Sequence, residues 1–433
     1  MKVFKSNELS HQELARLCER NPLREKSIVD LCQEIFENVA ARGDEAVREY
    51  TKTYDGVDLE NFRVDASEFQ KSLGQQPRKV IEALETAIRN IRTFHLSQNL
   101  AEKSVEVQPG VTCWRASRPI DSVGLYVPAG TAVLPSTVLM LGVPAKLAGC
   151  PKVQLCVPPR KDGSVSPLVL AAAYLSGIRQ VYKIGGAQAV AAMTLGTESI
   201  RPVDKILGPG NRFVQTAKLL ATSYGVAIDM VAGPSEVLVI ADQEATPRIV
   251  AADLISQAEH GADSQVVLVT DSYPLIEAVN VELEGQLGSL PRRELARTSI
   301  EQSFAVLVGS MDEAVEFSNR YAPEHLILGM VEARKWVGKV RCAGSVFVGE
   351  WSPEVAGDYA SGTNHTLPTS RLARNSSGVS LDSFVNKVTF QELTREGLKD
   401  LAPALETLAE VESLEGHARA VRYRLGREEE VRG

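Results

Sequence analysis

Short apolar runs alternate with helix-patterned stretches from Ser122 to about Val308, and this alternation predicts an α/β fold made of parallel βαβ units. The pattern breaks at Gly233-Pro234-Ser235 and restarts with unrelated sequence, which predicts two Rossmann-like parallel-sheet domains. One, 126–236, is inserted between the flanks 25–125 and 237–379 of a main domain. The polar ends predict a helical segment over 1–24 and a helical tail over 380–433.

Taken in order, Ile28, Leu31, Ile35 and Val39 recur at helical spacing. A second helix runs from Arg78 to about His95, where His95 continues the stripe of Ile81, Leu84, Ile88 and Ile91 and reads as a packed residue. Strands are expected at 123–128, 153–157 and 180–184, with helices at 167–177 and 187–195. The second half gives strands at 237–240, 266–269 and 305–308. A helix at 247–260 starts with the capping pair Thr246-Pro247 and stops at Gly261.

At 433 residues the chain is too long for one simple core. With 44% hydrophobic and 24% charged residues it has the balance of an ordinary globular protein. A formal net charge of -8 and the lack of a basic run argue against nucleic acid as partner. The first residues carry no apolar signal core and no stretch approaches the ~20 residues that span a bilayer, so a cytoplasmic protein is expected. Six cysteines without a C-x-x-C pair make a thiolate metal site or a disulfide framework improbable, so any metal is expected on nitrogen and oxygen.

Four of the six histidines lie in the second half, set among amides and carboxylates. Imidazole is the commonest metal ligand and the commonest general base near neutral pH. In Gln257-Ala258-Glu259-His260-Gly261 the amide and imidazole are three apart on one helix face; a capped helix end with a solvated histidine fits this cluster equally well. The loop 357–365 adds Asp358 and His365 directly after a strand, at the carboxyl edge where α/β proteins place ligands; a polar turn is its plainer reading. With His417, five residues after Glu412, the residues Gln257, His260 and Asp358 make an N/O donor set suited to Zn²⁺ or another divalent first-row ion. Pro323-Glu324-His325 offers two adjacent bases, or a surface salt-bridging pair.

No G-x-G-x-x-G is present. The turns 126–130, 184–188 and 208–211 are rich in glycine and proline, and a helix N-terminus there can face a phosphate. Tight helix-on-strand packing explains them nearly as well.

Taken together, Gly124-Leu125-Tyr126-Val127-Pro128, Ile184-Gly185-Gly186-Ala187-Gln188, Ala232-Gly233-Pro234-Ser235-Glu236, Gln257 to Gly261, Pro323-Glu324-His325-Leu326, the run Gly357 to Pro368 and the tail with Glu412, Leu414 and His417 resemble the histidinol dehydrogenase family along nearly the whole chain. The resemblance implies NAD-dependent, four-electron oxidation of L-histidinol to L-histidine through histidinal. It implies one Zn²⁺ per subunit on Gln257, His260, Asp358 and His417, the last donated by the partner in a homodimer that exchanges its C-terminal tails. His325 is then the base for the alcohol proton and Glu324 the base that activates water. Ser235, Gln257, His260, His325, Asp358, His365, Glu412 and His417 match substrate-contacting positions, and Tyr126, Gln188 and Asn211 match dinucleotide-contacting ones.

Three rival readings make different demands. A zinc- and NAD-dependent dehydrogenase of another small polyol or amino alcohol would reduce NAD with that alcohol instead. A zinc hydrolase would turn over without NAD and leave the turns around Gly185 and Gly210 without a role. A non-catalytic metal-binding protein would leave Glu324-His325 unused.

Overall fold

The computed structural model describes residues 1–20, 25–98, 102–129 and 133–427. Residues 21–24 of the expected leader, 99–101, 130–132 (with Gly130 of the expected turn) and 428–433 of the tail lie outside them.

Two parallel sheets carry the architecture, as expected. The six-stranded sheet runs in the order Lys2–Lys5, Phe304–Leu307, Gln265–Thr270, Glu236–Ala241, His325–Gly329, Ser345–Val348, with every neighbouring pair parallel. The five-stranded sheet runs Gln180–Lys183, Lys152–Val157, Ser122–Tyr126, Lys205–Leu207, Ala227–Ile228, also parallel throughout. Helices cover both faces of such sheets, so their central strands read as continuous apolar runs. Every residue of Glu236–Ala241 is buried.

Several expected boundaries change. Lys2–Lys5 is an edge strand of the six-stranded sheet, paired with Phe304–Leu307, so the leader is not purely helical; among its described residues only His11–Cys18 forms an α-helix. Ser122–Tyr126 belongs to the five-stranded sheet, so that sheet begins upstream of 126. The helices between Lys26 and Leu96 pack on this sheet, whereas His11–Cys18 places Leu14, Leu17 and Cys18 in the core of the six-stranded one. Ile28, Cys32, Ile35 and Phe36 of helix Lys26–Arg42 share a core with Tyr126, Ile184 and Val190, and Leu84 and Ile91 share one with Val123 and Leu155. The sequence pattern gives each helix an apolar stripe but not the sheet that receives it. His95 is fully buried in helix Arg78–Leu96, as its stripe predicts.

The chain divides into two compact units, Met1–Gln98 with Ile120–Phe384, and Asn99–Pro119 with Val385–Gly433. The second contains an antiparallel sheet ordered Val385–Leu393, Val111–Pro119, Ser104–Gln108, followed by helices Arg395–Val411 and Glu415–Arg424. The expected all-helical tail therefore opens with a strand, whose β-branched and aromatic residues Val388, Thr389 and Phe390 suit a pleated ribbon. The helices bury mainly small residues, Gly397, Ala402, Ala409 and Ala418, and leave Leu408, Val411 and Leu414 exposed. Among the described residues no helix is long and apolar enough to cross a membrane. All six cysteines are free, with Cys113 and Cys342 half-buried and the other four buried.

Candidate active site

The clustered side chains lie at the amino edge of the six-stranded sheet, not at the carboxyl edge expected from the sequence. Glu236 and His325 are the first residues of adjacent strands, with Ser235 one residue before. The helices return antiparallel to the strands, so their last turns reach this edge. Gln257 is the penultimate residue of Pro247–Ala258, and Asp358 the penultimate residue of Glu354–Tyr359. Asp358 thus sits on a short helix started by Pro353, not on a loop directly after a strand. His260 falls in the turn just past its helix, which weakens the expected shared face with Gln257. The Thr246 hydroxyl does not cap that helix but donates to Glu350 Oε1 at 2.9 Å.

His325 is 4% exposed and fixed by its neighbours. Its Nδ1 lies 3.1 Å from the Glu236 carbonyl, which can only accept, so Nδ1 carries the proton. That tautomer leaves Nε2 as a buried lone pair with no protein partner, 3.7 Å from Asp358 Oδ1. Burial lowers the imidazole pKa to about 4 against the opposing pull of Asp358, so the ring is neutral at physiological pH. Glu324 lies beside it, Oε2 to Nδ1 at 3.6 Å, and accepts the Glu236 backbone N–H at 2.9 Å. Burial pushes its pKa well above the carboxylate range; the Glu236 bond opposes the rise, and the charges of Glu236, Asp358 and Glu354 add to it. A carboxyl raised in this way is a stronger base when ionised than one in water.

Glu354 was not singled out in the sequence. It is 1% exposed, four residues before Asp358 on the same helical face, and its Oε2 accepts from Ser256 Oγ at 3.3 Å. The Gln257 side-chain amide, turned so that nitrogen faces the carboxylate, donates to both Glu354 oxygens. Burial and the Asp358 charge raise the Glu354 pKa. His260, Glu354 and Asp358 each present one metal-type donor atom, all within 4.8 Å of one another, with His260 Nε2 3.9 Å from Asp358 Oδ2. This N/O set fits a divalent cation. Gln257 lies beside it, fully buried.

His365 engages both ring nitrogens, Nδ1 to the Asp358 carbonyl at 2.8 Å and Nε2 to Thr137 Oγ1 at 3.1 Å. Thr137 is in the first turn of Pro135–Ala148, the helix that follows strand Ser122–Tyr126. His365 therefore links the amino edge of one sheet to the carboxyl edge of the other. Glu412 and His417 belong to the second compact unit, exposed, and neither is among the donors gathered around Asp358.

The three turn residues lie at the carboxyl edge of the five-stranded sheet. The buried Tyr126 hydroxyl accepts the Gly186 N–H at 3.1 Å, and burial raises its pKa. Gln188 is 1% exposed, yet neither its Oε1 nor its Nε2 has a partner, which suits a site awaiting a polar ligand. Asn211 caps the helix Arg212–Ser223 through Oδ1. Gly208 has φ +133°, and a Cβ there would fall 2.1 Å from the Tyr126 carbonyl, so only glycine fits. A cavity of about 360 Å³ at this edge is lined by Asp55, Pro128, Val157, Pro158, Arg160 and Lys161, among others.

A neutral buried imidazole with a free lone pair, raised carboxyls and a hard-donor cluster, joined to a small-residue edge of a second parallel sheet, define an α/β enzyme with a metal-capable acid–base centre. The family model described as histidinol dehydrogenase matches residues 18–425. The chain belongs to the histidinol dehydrogenase family, oxidoreductases of histidine biosynthesis that oxidise histidinol. It is 53% identical over 398 residues to the histidinol dehydrogenase of Xanthomonas euvesicatoria pv. vesicatoria, covering 92% of each chain. It is 52% identical over 429 residues to the chloroplastic histidinol dehydrogenase of Arabidopsis thaliana, covering 98% of this chain and 91% of that one. The crystal structure of histidinol dehydrogenase from Elizabethkingia anophelis superposes with a TM-score of 0.95 at 46% identity, covering 98% of both chains.

Proposed function

We propose that this protein carries out the NAD-dependent, four-electron oxidation of L-histidinol to L-histidine through histidinal. The observation that carries the mechanism is the His325 tautomer: Nδ1–H donates to the Glu236 carbonyl, which leaves Nε2 as a buried base. When bound, NAD accepts hydride and Zn²⁺ anchors the substrate's imidazole and amine. His325 Nε2 takes the hydroxyl proton as the first hydride leaves. Glu324 then takes a proton from water as its oxygen adds to the aldehyde, and the resulting hydrate loses the second hydride. Each histidinol therefore yields two NADH. Gln257, His260 and Asp358 would hold the metal, with Glu354 orienting the Gln257 amide from beside the cluster. Ser235 and His365 border the substrate, and Tyr126, Gln188 and Asn211 contact the dinucleotide. A stoichiometry of one NADH per histidinol would reduce this reading to a simple alcohol dehydrogenase.

The remaining groups, His417 as fourth ligand and Glu412 as a substrate contact, would come from the partner subunit of a homodimer. Support comes from the exposed apolar residues Leu408, Val411 and Leu414 on the helices that carry them. A helix gains most by packing such a stripe on another surface. Mixing inactive His417→Asn with inactive His260→Asn protein tests it. With random exchange at 1:1, roughly a quarter of the sites inherit neither lesion and regain activity. No recovery after verified subunit exchange would sink the shared-site arrangement.

A further inference from the structure

Both proposed bases are held by a single residue that takes no proton itself. The backbone N–H of Glu236 donates to Glu324 Oε2 at 2.9 Å, and its carbonyl accepts the His325 Nδ1 proton at 3.1 Å. One amino acid thus aims both bases through its two peptide groups. Its side chain, 3% exposed, is anchored in turn: Oε1 accepts the Ser370 N–H at 2.8 Å, and Oε2 lies 2.8 Å from Arg20 Nη1. Arg20 stacks its guanidinium 3.6 Å from the centroid of the Tyr321 ring and donates from Nη2 to the Tyr321 carbonyl at 2.5 Å. A buried ion pair is weak support for stability because desolvation offsets the attraction. What it offers here is placement, an ion pair without hydrogen-bond geometry that sets the carboxylate of the strand's first residue beside Arg20.

We propose that Arg20 and the Glu236 carboxylate are positioning residues for catalysis, setting the aim of His325 and Glu324 together. The proposal rests on the reading of those two residues as the bases. It is tested on full-length, metal-loaded enzyme by following histidinol and histidinal oxidation separately in Arg20→Met, Glu236→Gln and the double variant, with His325→Asn and Glu324→Gln measured in parallel. The double variant leaves no buried charge uncompensated, so it keeps the test open where a single variant fails to fold. Misaligned bases should lower kcat of both half-reactions in parallel, by about ten- to a hundredfold, with KM for histidinol and NAD little changed. A residue that only stabilises the fold would lower Tm and leave kcat per folded site intact. Wild-type kcat in a folded double variant overturns the proposal, and so does a loss confined to one half-reaction. If His325→Asn and Glu324→Gln themselves leave both half-reactions intact, the base assignment has failed and the proposal falls with it, a result distinguishable from the other two.

Discussion

The two parallel sheets gather different groups at opposite edges. The six-stranded sheet gathers side chains with acid–base and ligand chemistry at its amino edge, where returning helices deliver Gln257 and Asp358 to the strand starts at Glu236 and His325. The five-stranded sheet presents glycine-rich turns and backbone N–H groups at its carboxyl edge, the usual ligand edge of α/β sheets. A strand's carboxyl edge is therefore not a safe guide to where titratable groups gather. Proton transfer needs titratable groups whose environment can shift them, whereas a dinucleotide needs backbone close to its phosphates.

The sharpest way to break the contrast is to remove a base. His325→Asn should slow histidinol oxidation by ~10²–10⁴-fold with KM for NAD unchanged, and Glu324→Gln should fall chiefly on supplied histidinal. Equal, small losses in both half-reactions for both variants would erase the division of labour. Next comes the metal cluster. His260→Asn should lose tight zinc binding while circular dichroism reports an intact fold, and in the wild type metal should leave on acidification because imidazole ligands bind only when neutral. Full zinc occupancy in the variant would remove His260 from the site. On the other sheet, Gln188→Ala should raise KM for NAD about tenfold and leave the ratio of the half-reactions alone, the cost of one lost polar contact. A change in that ratio would mean the two edges are not functionally separate.

The smallest effect concerns Asp55 in the cleft beside the turns, whose Oδ2 is buried without a partner. Burial raises its pKa to about 6, with Lys161 opposing. A carboxyl raised above its unfolded value, ~3.9, favours the fold while protonated, so that contribution is full below ~3.9 and fades as pH rises through about 6. Asp55→Asn should therefore gain on wild type by about 1–2 kcal/mol between pH 4 and 7.5 in urea unfolding, the partial exposure of the group holding the value down. A difference independent of pH would mean that the carboxyl is solvated.

Much of this was legible in the sequence, and what was missed shares one cause. Glu324-His325 stands out as an adjacent acid and imidazole, and Gln257-His260 as a ligand pair at a helix end. Glu354 does not, because one acid after Pro353 is indistinguishable from first-turn helix decoration. Its meaning comes from Gln257, about a hundred residues away, and the i,i+4 spacing to Asp358 was the only local hint. Glu236 sat inside a quoted motif, yet its role depends on the strand pairing that sets it beside His325 and on Arg20 reaching it from the start of the chain. Periodicity also places helices such as Lys26–Arg42 without revealing which sheet they cover.

The edge strand Lys2–Lys5 pairs with Phe304–Leu307, and the sheet continues to Val348, so its closure joins segments some three hundred residues apart. The five-stranded sheet draws its strands from Ser122 to Ile228 alone. Long-range pairing is slow because loop closure must precede the contacts that reward it. On the ribosome the five-stranded sheet is thus complete while the other still lacks five of its six strands. A chain halted shortly after Ile228 would carry all the strands of the five-stranded sheet and neither Glu324 nor His325. Glu324 and His325 are thus made about a hundred residues after the last strand of the five-stranded sheet.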